Sequence, residues 1–149
     1  MDATDIRILS CLKKNGRATA SFVAKAVNMS VSAVAERIRR LEKSGVISGY
    51  TVIVDQKKLG LGITALMEVS LEHPKYYDVF TKLVSTTPSI ISCYYLTGHF
   101  DFMLKLYADS SEELERIHRK IKGTEGVGVT RTHVVLESLK NELSYIPEK

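Results

Sequence analysis

The residues with chemistry to offer gather between positions 30 and 44, where Arg37, Arg39, Arg40 and Lys43 follow the small residues Ser32, Ala33 and Ala35. A guanidinium binds phosphate oxygens or the edge of guanine, and small side chains let a backbone come close to base edges. Val34, Ile38 and Leu41 recur through the same stretch at i, i+4, i+7, so it reads as a helix with one buried stripe. Ser30 stands where an N-cap belongs and Gly45 where a helix stops. Ahead of it, Thr19 can cap a shorter helix with Phe22, Val23 and Ala26 inward, ended by Asn28, which tolerates left-handed backbone. Two helices joined at Val27-Asn28-Met29 read as a helix-turn-helix whose later helix suits a major groove. The bland alternative is a solvated basic face.

The roles follow from reach. Ser32, Ala33 and Glu36 or Arg37 are expected near bases. Ser30, Arg17, Arg39 and Arg40 are expected at phosphates, which position a protein without specifying sequence. Arg17 could equally be a loop charge in solvent.

The elements that must hold this helix come next. Asp2 and Asp5 resemble a capping arrangement, and Ile6, Ile8, Leu9 and Leu12 supply a first helical stripe up to Asn15-Gly16. After Gly45, two short β-prone runs around Gly49, Val46-Ile47 and Thr51 to Val54, predict a wing. Residues 1–50 therefore form a winged helix-turn-helix, and the polar, glycine-bearing stretch 51–62 is a linker strand and hinge. From 63 to 149 the rhythm changes to strand (63–72), helix opened by Pro74, strand (90–97), turn Gly98 to Asp101, strand (102–108), helix capped by Asp109 or Ser110, and strand (127–137). That order is the split βαβ arrangement of ferredoxin-like folds, so the whole is α+β.

Bulk numbers agree. The 149 residues are long enough to bury a real core, and 44% hydrophobic with 26% charged is ordinary for a globular protein. The net charge of +4 divides unevenly: residues 1–50 carry +5 and the remainder −1. An excess of positive charge confined to one module is the footprint of nucleic-acid binding. Cys11 and Cys93 lie among apolar residues and read as free thiols in a reducing compartment. No apolar run approaches the ~20 residues that span a bilayer. The start of the chain lacks a cleavable apolar run, and no basic amphipathic helix with aromatic anchors appears. A cytoplasmic protein with no membrane partner is expected. No Walker, Rossmann or Ser-His-Asp pattern appears, and neither His73, His99, His118 and His133 nor the two cysteines have metal-site spacing. No catalytic residue, metal or cofactor is expected.

With both modules in place the chain resembles the Lrp/AsnC (leucine-responsive/asparagine regulator) family over essentially its whole length. The resemblance rests on Asn15-Gly16-Arg17, on Ser30, Ser32, Val34, Arg37-Ile38, Leu41-Glu42 and Gly45-Val46-Ile47, on Gly49-Tyr50, and on Thr97-Gly98-His99-Phe100-Asp101. Val31 stands where a proline is common in the family, and Asn28 where a glycine is. The resemblance implies a transcriptional regulator that binds double-stranded DNA. It also implies an ACT-like sheet that pairs subunits into homodimers, often gathered into octamers, and a small effector, usually an amino acid. Carried over, the effector positions are Thr97, Gly98 and Asp101, with Thr130 and Thr132 on the last strand. Physically, Asp101 could receive an α-ammonium and the threonines could donate to a carboxylate; alternatively, Gly98 and Asp101 merely shape a hairpin turn.

Two other functions share the architecture. Heme-pathway decarboxylases resemble this family and rely on His and Arg in the sheet domain, where this chain has His99, His118, His133 and Arg131. An intact basic N-terminal module argues against that reading. A DNA-packaging protein that senses nothing would share every residue except the effector set.

Overall fold

The computed structural model describes residues 1–147, which divide into two compact units: Met1–Ile53 together with the chain from Lys140, and Val54–Leu139. The sequence reading kept 63–149 together. By contact the segment from Lys140 lies with the first unit, where Lys13 Nζ meets Glu142 Oε2 at 2.5 Å.

The first unit is built on three helices, α1 (Ala3–Lys14), α2 (Ala20–Val27) and α3 (Val31–Lys43). Each begins on a polar cap. Asp2 and Asp5 close a reciprocal capping box on α1, Thr19 Oγ1 accepts from Phe22 N on α2, and Ser30 Oγ accepts from Ala33 N on α3. Asn28 ends α2 at φ 58°, the one non-glycine residue in the left-handed region among those described. Ile8, Val23, Ala24, Val27, Val34 and Leu41 form the core, with Ile38 and Ile47 packed against it. On α2 this differs from the expected face. Phe22 is 57% exposed and Ala26 points to solvent, because the buried stripe runs through Val23, Ala24 and Val27, one residue along. In the wing segment after α3, Val46 to Val54 pairs with no strand, and Val52 and Ile53 stay exposed. A lone two-stranded ribbon with nothing to bury its side chains is marginal at best.

The second unit is one antiparallel sheet in the order β2-β3-β1-β4, from β1 (Ile63–Leu71), β2 (Ile90–Tyr95), β3 (Phe102–Ala108) and β4 (Val127–Val134). Helix α4 (Tyr77–Ser85) follows a short 3-10 turn opened by Pro74, and α5 (Ser111–Lys122) joins β3 to β4. Alternation assigns the faces. Ala65, Met67 and Val69 of β1 and Phe102, Leu104 and Leu106 of β3 are buried beneath Phe80, Ile117 and Ile121 from the helices. Leu66 and Glu68 point the other way, as do their partners Lys105, Met103, Arg131 and His133, on a face no element of this unit covers. This is the ferredoxin-like βαββαβ arrangement expected from the sequence.

Candidate nucleic-acid interface and effector site

Helix α3 is held at its inner edge by charge. Arg37 Nη1 donates to Asp2 Oδ2 at 2.7 Å and to Asp5 Oδ1 at 2.8 Å, while Arg40 Nη2 reaches both Asp5 oxygens at 3.1 and 3.2 Å. Asp5 is fully buried, and a buried carboxylate persists only when paired and hydrogen-bonded. Burial pulls its carboxyl upward, but the Asp2 backbone N–H and the Arg37 guanidinium outweigh this and hold it below the ordinary 3.8. Arg37 in turn holds Asp2 low, and both aspartates raise Arg37. The sequence reading missed Asp5 as the partner of α3, although an acidic residue inside an apolar stripe was the available signal.

This placement sorts the expected DNA-binding residues. Arg37 is only 24% exposed and committed to two carboxylates, so the geometry disagrees with a base-reading role for it. Ser32, Glu36, Arg39 and Arg40 lie on the exposed side of α3, with Ala33 half-buried, and Arg39 Nη1 meets Glu36 Oε2 at 2.5 Å. Ser30 Oγ, engaged in capping, sits 3.2 Å from Ser32 Oγ. Arg17 is exposed after α1, its N–H donating to Asn15 Oδ1 at 3.0 Å. Behind α3, Tyr50 Oη donates to Glu42 at 3.0 Å, which ties the chain after α3 back to the helix.

The expected effector residues are not gathered at one point within the chain. The β2–β3 turn is tied to the end of β1: Asp101 N donates to Val69 O at 3.0 Å and Asp101 Oδ2 accepts from Leu71 N at 2.6 Å. Thr97 and Gly98 stand exposed beside it, Gly98 with φ 126°. Thr130 pairs with Val69 from the other side of β1 and faces α5, where its hydroxyl lies 3.2 Å from His118 Nε2. Thr132 shares that face, and its buried hydroxyl has no partner among the described residues. Two strand spacings, ~10 Å, separate the turn from the threonines. On the uncovered face Phe100 lies over Arg131, 5.2 Å from guanidinium to ring centre, and Glu68 meets Arg131 at 3.7 Å and His133 at 3.3 Å. The sequence assigns no site role to Phe100 or Glu68. No group of three His, Cys, Asp or Glu able to hold a metal occurs among the described residues.

Comparison with known proteins agrees with both modules. Residues 64–145 match the Lrp/AsnC ligand binding domain, and residues 1–48 match a winged helix-turn-helix DNA-binding domain. The HTH-type transcriptional regulator FL11 of Pyrococcus furiosus is 34% identical over 149 residues, covering 100% of this chain and 97% of that one. A transcriptional regulator of Neisseria meningitidis, solved as a complex with L-Met, superposes with a TM-score of 0.93 at 27% identity over 97% of this chain and 96% of that chain. The feast or famine regulatory protein of M. tuberculosis, complexed with L-methionine, gives 0.90 at 29% identity over 98% and 99%. The relatives are transcriptional regulators rather than decarboxylases, and their match extends through the basic N-terminal unit. The chain therefore belongs to the Lrp/AsnC family and is a DNA-binding transcriptional regulator of that type.

Proposed function

We propose that this regulator works in the cytoplasm as a homodimer. Its two α3 helices enter successive major grooves of a pseudo-palindromic site, about 34 Å apart. The observation that carries the reading is the division of labour on α3. Asp5 anchors Arg37 from behind while Ser32, Glu36 and Arg39 remain outward. Ser32, Ala33 and Glu36 are the candidates for base edges, and Ser30, Arg17, Arg39 and Arg40 for phosphates. Arg37 acts as a positioning residue. Arg40 combines both duties, since Asp5 occupies only one of its two terminal nitrogens.

Pairing through the uncovered sheet face is supported by the apolar surface that Leu66, Met103, Tyr94 and Val129 place there. Assembly of dimers into an octamer would follow the family pattern. An amino acid is the proposed effector, bound at the exposed turn of Thr97, Gly98 and Asp101; Thr130 and Thr132 would serve a ligand only from the α5 side of β4. L-Met, present in two of the structural relatives, is the first ligand to try. Light scattering and a thermal-shift series with the amino acids test the proposal together. A monomer would remove the dimer, and an unmoved melting temperature with every amino acid would favour the packaging reading over the sensing one.

A further inference from the structure

We propose that Val31 reads the 5-methyl group of a thymine and is the apolar specificity-determining residue of α3, an inference that rests on this helix reading base edges. Val31 is the first residue of α3 and is 49% exposed. The N-terminal residues of a recognition helix are the ones that meet base edges.

The polar groups around it are already engaged. Ser30 Oγ caps the helix, accepting from Ala33 N at 3.2 Å, and Ser32 Oγ sits 3.2 Å from it. Reading guanine takes a bidentate arginine or lysine. Arg37 and Arg40 are bonded to Asp5, and Arg39, further along the helix, is assigned to phosphate. What the first turn offers a groove is therefore the Ser32 hydroxyl, the half-buried Ala33 methyl and the more exposed Val31 isopropyl group. The one apolar group on an unmodified base edge in the major groove is the thymine methyl. A β-branched side chain in a helix holds nearly a single rotamer, so little freedom is lost when it meets that methyl.

The test uses the full chain and a duplex selected from a random library. Each thymine is replaced singly by deoxyuridine, which removes the methyl and nothing else. Wild type should bind about fourfold more weakly at one thymine per half-site, the equivalent of one buried methylene. Val31→Ala, a better helix former and so expected to fold, should bind the thymine duplex about fourfold more weakly or worse and no longer distinguish it from the deoxyuridine duplex. Val31→Ile should keep the distinction. If every deoxyuridine is neutral, or if Val31→Ala still prefers thymine by the wild-type factor, the assignment is overturned. A library that enriches no sequence overturns it one step earlier, at the base-reading role of α3 itself.

Discussion

Arg37 on α3 donates to Asp5 on α1 at 2.8 Å, joining residues 32 apart in the chain across the interior of the helical unit. The Asp5 side chain is 1% exposed, so this is a buried carboxylate held by a guanidinium and not a surface pair. Asp5→Ala should therefore destabilise the helical unit by about 2–4 kcal/mol, losing the anchor of α3 and half of the α1 capping box. Urea unfolding followed by circular dichroism measures this. A change within about 0.5 kcal/mol, the range of an ordinary surface substitution, would mean the pair is incidental.

The same carboxylate sets a pH dependence. Its folded-state carboxyl titrates below the ordinary 3.8. Its contribution is therefore present above that value and lost as pH falls through the lower, folded-state one. The gap in melting temperature between wild type and Asp5→Asn should be constant above about pH 5 and should close below about pH 4. A gap that widens in acid would reverse the sign and contradict the pairing.

Asp101 is predicted to separate shape from ligand binding. Its Oδ2 accepts from Leu71 N at 2.6 Å, an acceptor role that an asparagine amide oxygen can keep while losing the charge. Asp101→Asn should melt near wild type yet lose the thermal shift expected of the wild type with its amino-acid effector, L-Met being the first to try. If the shift survives unchanged, the carboxylate serves the turn alone.

Gly126 is predicted to tolerate no side chain. It lies at φ 79°, and a Cβ there would fall 1.9 Å from Tyr76 Cγ. Gly126→Ala should cost roughly 2–4 kcal/mol through combined strain and overlap. Adding Tyr76→Ala should recover part of that, and urea midpoints of the three variants are the check. Equal losses with and without Tyr76 would leave backbone strain as the whole cause.

Most of the framework could be read locally. The capping residues Asp2, Thr19, Ser30 and Ser110 all cap helices as their positions foretell, and Asn28 turns the chain where it was expected to. The alternation of residues 63–71 and 102–108 marks two strands that pair as neighbours. What escaped was set by distance. The partner of Arg37 lies 32 residues earlier, and nothing in the period of α3 announces it. The phase of α2 was missed because eight residues rich in alanine leave the buried stripe ambiguous by one position. Phe100 over Arg131 joins a turn to an edge strand 31 residues on, visible only once β4 is laid against β1. The winged helix-turn-helix expected for residues 1–50 is matched over residues 1–48, yet no paired ribbon follows α3 in this unit. Local β-propensity was present, but within the unit there is nothing for Val52 and Ile53 to pack against.

The central claim, that the outer face of α3 carries the DNA contact while its inner arginine is structural, is tested most directly by the salt dependence of duplex binding. Each phosphate-binding cation contributes about 0.9 to the slope of log affinity against log salt. Arg39→Ala should therefore flatten the slope by about 0.9 for each subunit engaged, and Arg37→Ala, measured below its melting transition, should leave it unchanged. Flattening by Arg37→Ala but not by Arg39→Ala would invert the assignment, and a wild-type chain that ignored duplex DNA at low salt would contradict the account outright.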